Sequence, residues 1–208
     1  ASAALFARFF VEREGSRLAA VSFVPLHHQQ GDPFPKDAFD ADVNACVDFR
    51  YSPSPSLHWW FDHHASAFQS PADRATFERD GTGRKFWDPA APSCTGFIAR
   101  TLAGRFSWTA PDLAELVRWA DVIDAARFPS AATAVRLEEP ALRVMTLLEA
   151  THDPQVPARI IEAMQRRPLA EIAAEPWVSG PLGPILERHR GAIETVRRVA
   201  HEEGGVVK

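Results

Sequence analysis

An aromatic stretch that ends in three polar residues is the first candidate for chemistry in this sequence. The run Leu57-His58-Trp59-Trp60-Phe61 leads directly into Asp62-His63-His64. In an α/β protein, a buried strand brings reactive side chains to its carboxyl end in this way. Imidazole and carboxylate groups can together coordinate a borderline divalent metal. The same triplet would also fit a strand that leaves the core, with Asp62 capping a turn and both histidines in solvent.

Two further acidic residues follow the ends of predicted elements. Asp48 closes the apolar run Asn44-Ala45-Cys46-Val47, and if this strand lies parallel to the next one, Asp48 and Asp62 share one edge of the sheet. Asp124 ends an amphipathic helix, where a negative charge opposes the helix dipole and needs a compensating partner such as a metal ion. A local role for Asp124, capping the turn before Phe128, would explain it as well.

The elements that must position these side chains are strands that alternate with helices. Apolar runs predict strands at residues 17–25, 43–49, 57–61 and 84–87. Helical periodicity and N-cap signals predict helices at residues 1–11, from Ser70 onward, at 97–102 and at 111–124. This alternation predicts the α/β class: a Rossmann-like three-layer domain with a mainly parallel sheet, followed by a helical C-terminal segment.

The chain after residue 130 has a helical pattern. Periodic apolar positions predict helices at residues 140–150, 156–165 and 184–203, and prolines and glycines between residues 168 and 184 punctuate this part. We therefore expect one domain over residues 1–208, with an α/β catalytic core at 1–130 and a helical segment at 131–204 that leads to a linker.

Composition and charge narrow the functional classes. The 208 residues are 46% apolar, enough for a real core, and the net charge of −4 argues against a basic surface for extended duplex DNA. Cys46 and Cys94 have no CxxC spacing, which predicts reduced packing residues rather than a disulfide framework. No apolar run reaches the length of a membrane span, and no signal peptide opens the sequence. These features predict a cytoplasmic protein with no membrane partner.

Four motifs, taken in order, resemble those of the DHH phosphoesterases. They are Asp48 after a strand, Asp62-His63-His64, Ser93-Cys94-Thr95-Gly96 at the start of a helix, and Asp124-Ala125-Ala126-Arg127-Phe128. The family includes single-strand DNA exonucleases, exopolyphosphatases, manganese pyrophosphatases, cyclic-dinucleotide phosphodiesterases and nanoRNA/pAp phosphatases. The resemblance covers residues 43–130 in motifs. It implies a metal-dependent hydrolase of phosphodiester or phosphomonoester bonds in a nucleotide, a short oligonucleotide or another small phosphorylated substrate.

The resemblance also implies a pair of metal ions, usually Mn²⁺, with three ligands in this chain. By their positions in the motifs, Asp48 would bridge the two ions, His63 would bind one of them, and Asp124 would complete that site. Two divalent ions about 3.5–4 Å apart lower the pKa of a bridging water and stabilise in-line displacement at phosphorus. Mg²⁺ or another divalent ion could take the place of Mn²⁺.

Three further residues would act on the substrate or on the metal ligands. The resemblance implies that Asp62 orients the histidines and fixes their tautomer, while His64 holds the substrate phosphate. Arg127 follows Asp124 closely and is the best phosphate-binding candidate outside the triplet. If Asp124 pointed away from His63 and Asp121 pointed toward it, Asp121 would take the metal role.

One part of the family pattern is absent. The first motif, of the form His-x-Asp-x-Asp-Gly, precedes the first helix in the family, and here Ala1-Ser2-Ala3-Ala4-Leu5-Phe6 already predicts that helix. We expect a truncated chain rather than a lost motif, and we expect Gly204-Gly205-Val206-Val207-Lys208 to lead toward the family's accessory domain. Two alternatives stay open: a catalytically degenerate module that binds a nucleotide or a protein partner, and a structural domain whose Asp and His residues are coincidental.

Overall fold

A three-stranded parallel sheet carries the predicted chemistry. The computed structural model describes residues 1–15, 20–27, 31–153, 155–200, 202–203 and 206–207. The sheet has the order β1 (Asn44–Val47), β2 (Leu57–Asp62), β3 (Lys85–Trp87). The helices are α1 (Ser2–Glu14), α2 (Pro71–Glu78), α3 (Cys94–Phe106), α4 (Ala114–Asp124), α5 (Ala131–Arg136), α6 (Pro140–Ala150), α7 (Gln155–Met164), α8 (Leu169–Ala174) and α9 (Pro176–Val199). A 3-10 turn (Pro111–Leu113) precedes α4, and β4 (Glu202–Glu203) pairs with β5 (Val206–Val207) in an antiparallel hairpin after α9.

Aromatic side chains hold helices against both faces of the sheet. On one face, Trp59 and Phe61 of β2 belong to an apolar cluster with residues of α1 and α3. On the other face, Trp60 packs edge-on against Tyr51 and against Phe77 of α2. Successive residues of a strand point to opposite faces, so one aromatic run serves both layers. The predicted α/β class with a parallel sheet and flanking helices is confirmed at this level.

The predicted start of α2 is confirmed by its cap, whereas α3 begins at Cys94, before the helix predicted at 97–102. Ser70 caps α2 by accepting a hydrogen bond from the backbone N–H of Asp73, at 3.1 Å. Ser93 caps α3 by accepting from the N–H of Gly96, at 2.9 Å. Side-chain oxygens at these positions satisfy N–H groups that the first helical turn leaves free. The strands predicted at 43–49, 57–61 and 84–87 correspond to β1, β2 and β3.

The first predicted strand, at residues 17–25, is wrong over its described part. Residues 20–25 have no regular secondary structure and pair with no strand in the described chain, while residues 17–19 lie outside the described residues. Val21 and Val24 are 44% and 58% exposed. An apolar run predicts a strand only where a neighbour completes its backbone hydrogen bonds, and no such neighbour is described beside this segment.

The helix predicted at 184–203 also differs from the structure. The helix α9 already begins at Pro176, ends at Val199 and runs through Pro181 and Pro184. Proline inside a helix removes one backbone hydrogen bond and is normally costly. Here Val178 and Leu182, on the same part of α9, are buried in the core, and this packing overrides the local preference of the prolines.

The C-terminal helices surround an aliphatic core that we call the helical cluster. It is built by α6, α7, α8 and α9, and its fully buried members are Leu142, Val144, Ile160, Ile172 and Val178. The helices α1 and α4 contribute to it through Ala4, Leu116 and Trp119, while other residues of α1 pack on the sheet. Of the helices in the described chain, none combines the length and the apolar character needed to cross a membrane.

Candidate metal centre

Asp48 leaves β1 in an unusual backbone conformation. Its φ of 61° lies in the left-handed region, which residues other than glycine rarely occupy, although aspartate tolerates it better than most. The N–H of Asp48 donates to the carbonyl of Phe61 at 2.8 Å, so the residue stays attached to β2 beyond the end of β1. Ser2 Oγ donates to Asp48 Oδ2 at 3.0 Å and lies 2.9 Å from Thr95 Oγ1. These contacts fix the Asp48 carboxylate at the edge of the sheet.

Asp62 is the buried support of the triplet. Its side chain is 0% exposed, and Oδ1 accepts hydrogen bonds from the backbone N–H groups of His63 and His64, at 2.8 and 3.3 Å, and lies 2.6 Å from His64 Nδ1. The second oxygen, Oδ2, is buried and has no hydrogen-bond partner among the described residues. Burial raises the pKa of Asp62 above its usual value, although the hydrogen bonds and charge of His64 act in the opposite direction.

His63 points an unsatisfied nitrogen at two carboxylates. Nδ1 lies 3.0 Å from the carbonyl oxygen of Ala91, and because a carbonyl can only accept, Nδ1 carries a proton. Nε2 is buried, 3.1 Å from Asp124 Oδ2 and 3.7 Å from Asp48 Oδ1, and neither contact has hydrogen-bond geometry. In its neutral form, this imidazole turns the Nε2 lone pair toward two carboxylates. A cation between these three atoms would relieve that repulsion.

Asp124 reaches His63 from the C-terminal end of α4. Burial and the charge of Asp48 raise the pKa of Asp124, and the nearby His63 and His64 oppose this shift. The neighbouring Asp121 has a different role: its Oδ1 accepts a hydrogen bond from Ser93 Oγ at 2.6 Å. Asp124, rather than Asp121, therefore faces His63.

The close contact between α3 and α4 requires glycine at position 96. A Cβ atom placed on Gly96 would overlap the Asp121 carboxylate. Ser93 joins both contacts, since its Oγ accepts from Gly96 and donates to Asp121. This packing fixes the C-terminal part of α4 against the start of α3, near the end of α4 where Asp124 lies.

His64 lies beside His63 with its ring partly in solvent. The two ring centroids are 4.5 Å apart, and the side chain of His64 is 43% exposed. Asp48, His63 and His64 each offer one possible ligand atom within 4.8 Å of the others. Because Asp62 occupies Nδ1 of His64, its free atom is Nε2, which can face either a metal ion or a substrate phosphate. Burial lowers the pKa of His64, but Asp62, Asp48 and Asp124 outweigh it and raise the pKa overall.

The structure brings most of the sequence-predicted residues together and leaves one apart. Asp48, Asp62, His63, His64 and Asp124 gather at one edge of the sheet. The side chain of Arg127 is exposed and forms no described hydrogen bond or ion pair with any of them. Its backbone N–H donates to the carbonyl of Val122 at 2.8 Å, and the residue lines a separate cavity. Asp62 orients His64 as predicted, but the ring of His63 is held by the Ala91 carbonyl.

Sequence reasoning missed two groups that build this site. The carbonyl of Ala91 fixes the tautomer of His63. Because this acceptor belongs to the backbone, the side-chain pattern of the sequence cannot predict it. Ser2 contacts Asp48 across the domain, and a lone serine at the start of a helix carries no signal beyond capping. By contrast, Ser93 was predicted as a cap, and its second partner, Asp121, follows from the tertiary fold.

The donor set fits a divalent ion with oxygen and nitrogen ligands. Asp48, His63 and His64 supply a carboxylate and two imidazoles whose ligand atoms lie within 4.8 Å of one another, and Asp124 adds a second carboxylate 3.1 Å from His63 Nε2. Such a set suits Mn²⁺, Zn²⁺ or a related ion. Comparison with protein-family models, curated proteins and solved structures gives no match to this chain. The resemblance to the DHH phosphoesterases therefore stays a prediction from the sequence motifs.

Proposed function

We propose that this chain is a metal-dependent phosphoesterase of the DHH type, with a Rossmann-like core and Mn²⁺ as its ion. It would hydrolyse phosphodiester or phosphomonoester bonds of a nucleotide, a short oligonucleotide or another small phosphorylated substrate. The supporting observation is His63 Nε2, buried and without a hydrogen-bond partner in the described chain, between the carboxylates of Asp124 and Asp48. A buried polar atom of this kind is costly unless a ligand completes it.

Three residues around this nitrogen would bind the metal ion, and a fourth fixes the tautomer of His63. Asp48, His63 and Asp124 would hold the ion, and the Ala91 carbonyl keeps His63 in the tautomer that a metal needs. A bound divalent ion supplies Lewis acidity and a water of lowered pKa.

His64 would act on the substrate. Its Nδ1 contacts Asp62, and the raised pKa favours an imidazolium whose Nε2–H can donate to a phosphate oxygen. The half-exposed ring places this donor where a substrate can reach it.

The proposed function also includes a cellular location and a class of substrate. The buried, unpaired thiols of Cys46 and Cys94 support a reducing, cytoplasmic location. The net charge of −4 favours small phosphorylated substrates or short nucleic acids over extended duplex DNA.

The direct test compares two histidine variants. Calorimetric titration should show weak binding of Mn²⁺ by the wild-type chain. Because residues 1–208 contain no first motif that would complete a second metal site, Mn²⁺-dependent hydrolysis of bis(p-nitrophenyl) phosphate and p-nitrophenyl phosphate should be slow or undetectable. His63→Ala should weaken Mn²⁺ binding by more than about 100-fold, because a direct ligand matters more than the residues around it. His152→Ala, at an exposed position, should leave both measurements unchanged.

The possible results separate the candidate functions. Slow turnover that depends on Mn²⁺ and on His63 would favour the phosphoesterase. Mn²⁺ binding with no turnover, even by a variant that carries a His-x-Asp-x-Asp-Gly motif before residue 1, would favour the degenerate binding module. Absence of any difference between His63→Ala and His152→Ala would show that this edge is not a metal centre and would reject the phosphoesterase proposal.

A further inference from the structure

A cavity of about 600 Å³ lies beside the candidate metal centre. Its walls come from α1, α3, α4 and the segment at residues 107–113. This volume falls within the range of pockets that hold small organic ligands. Two parts of the lining adjoin the centre along the chain: Pro92 follows Ala91, which holds His63, and Asp121 and Arg127 flank Asp124.

Most of the lining is apolar. Leu5, Ala99, Val117 and Val122 contribute aliphatic surface from three helices. Trp108 lines the same space, and its Nε1–H donates to Glu12 at 2.8 Å. Because its polar atom is already engaged, Trp108 offers the cavity its hydrocarbon ring. Aromatic surface of this kind favours a planar, apolar partner.

Two arginines give the cavity an excess of positive charge. The guanidinium of Arg118 stacks over the ring of Trp119 at 4.7 Å, and the structure describes no ion pair for Arg118 or Arg127. Asp121 is the acidic residue of the lining, and its Oδ1 is bound to Ser93. A ligand with a negative group would supply the partner that these arginines lack in the described chain.

We propose that this cavity binds a small organic anion with a planar, apolar body: an aromatic phosphate, sulfonate or carboxylate. The apolar walls would take the ring, and Arg118 and Arg127 would face the anionic group. Such a ligand could be part of the substrate of the neighbouring centre or a separate effector. The binding itself does not depend on the phosphoesterase proposal, because it needs no metal.

The test measures binding of anilinonaphthalene sulfonate in the presence of EDTA. We expect one saturable site per chain by fluorescence. Ala114→Phe, which fills the cavity, should weaken binding at least about tenfold, because it removes the space for the ring. Ala192→Phe adds the same side chain to an exposed position of α9 outside the lining and should have no effect.

A second pair of variants tests the charge. Arg127→Gln should weaken binding of the sulfonate about tenfold but leave binding of phenylnaphthylamine, its uncharged analogue, unchanged. Arg136→Gln, at an exposed arginine outside the lining, should change neither affinity. If circular dichroism shows that Ala114→Phe does not fold, Arg127→Gln and its control Arg136→Gln still test the proposal.

Two results would overturn the proposal: sulfonate binding that survives in a folded Ala114→Phe variant, or equal losses for the charged and uncharged probes in Arg127→Gln. If the phosphoesterase assay succeeds, inhibition by the sulfonate that raises KM alone identifies the cavity as a substrate subsite, and a change in kcat alone identifies an effector site. If His63→Ala and His152→Ala do not differ in Mn²⁺ binding or turnover while the pattern of cavity variants holds, the proposed function is wrong and the anion site stands.

Discussion

The helical cluster and the carboxyl edge of the sheet differ in whether they bury polar groups. In the helical cluster the buried side chains are apolar, and charged residues such as Arg167 and Glu175 pair near the surface, at 2.6 Å. At the sheet edge, the carboxylate of Asp62 is fully buried, and His63 turns an unsatisfied nitrogen toward two acids. One region can therefore stabilise the fold, while the other carries groups that are unfavourable without a ligand.

This difference indicates where stability and chemistry reside. Groups that hold a ligand are often arranged at a cost to the unliganded fold, and the rest of the molecule must compensate. Asp48 adds to this cost with its left-handed backbone. Variants in the helical cluster should therefore lower stability without changing metal affinity, whereas variants at the edge should change function and should not destabilise the metal-free fold.

The largest effect is expected from Leu142→Ala in the helical cluster. Leu142 is 0% exposed, and its removal leaves a cavity that should lower the free energy of unfolding by about 2–5 kcal/mol. Urea denaturation measures this change, and calorimetry under folding conditions should give an unchanged Mn²⁺ affinity. Val196→Ala, at a residue 55% exposed, serves as the control and should stay within about 0.5 kcal/mol of the wild type. A parallel loss of Mn²⁺ affinity in folded Leu142→Ala would break the comparison.

Asp62→Asn should act mainly on function. The amide keeps an oxygen for His64 but removes the charge, so the pKa of His64 should fall from its raised value. Loss of a residue that supports a metal centre in this way typically lowers activity about 10–100-fold. NMR titration of His64 and phosphoester turnover measure the two effects. Asp88→Asn changes an acid after β3 with no described contact to the histidines, and it should alter neither; an unchanged His64 pKa in Asp62→Asn would contradict the assignment.

Asp124→Asn should stabilise the metal-free protein. It removes a charge that is partly buried, repels Asp48 and opposes the α4 dipole, and we expect a gain of about 1 kcal/mol after allowance for solvent screening. Glu149→Gln makes the same change at the C-terminal end of α6, where it should yield the dipole part alone, about 0.3–0.5 kcal/mol. Thermal denaturation with and without Mn²⁺ measures both. Equal gains in the two variants would mean that neither burial nor Asp48 disfavours the charge of Asp124.

The fold elements near the site could be predicted because their signals are local. Ser70 and Ser93 stand directly before helices and accept hydrogen bonds from N–H groups of the first helical turn. The aromatic run of β2 indicates a strand that is buried on both faces. The meeting of Asp48 with the triplet also follows from sequence, since neighbouring parallel strands end at a common edge.

What could not be predicted depends on distant partners. A strand at 17–25 requires a neighbour, and apolar residues such as Val21 and Val24 do not reveal whether one is there. Which of Asp121 and Asp124 faces His63 depends on the hydrogen bond that Ser93, the N-cap of α3, donates to Asp121. The cavity arises between four segments, so none of its lining residues forms a motif.

The smallest effect concerns Arg8, which ties α1 to the rest of the chain. Arg8 Nη1 donates to Asp112 Oδ2 at 2.7 Å and to the carbonyl of Gln165, just after α7, at 2.6 Å, while its Nε contacts Glu12. The hydrogen bonds from Arg8 lower the pKa of both Glu12 and Asp112. Both carboxylates are partly exposed, so Arg8→Gln should lower the free energy of unfolding at pH 7 by only about 0.5 kcal/mol.

The pH dependence identifies the origin of that loss. Because the folded pKa values of Glu12 and Asp112 lie below the unfolded ones, their contribution is present above about pH 4–4.5 and disappears as the pH falls through the lowered values. Urea denaturation of wild type and Arg8→Gln should therefore converge in acid. Arg74→Gln breaks an exposed pair with Glu78 inside one helix and should cost less at pH 7. A difference for Arg8→Gln that stays unchanged below pH 4 would show that packing or the bond to the Gln165 carbonyl, rather than the pairs with Glu12 and Asp112, causes the loss.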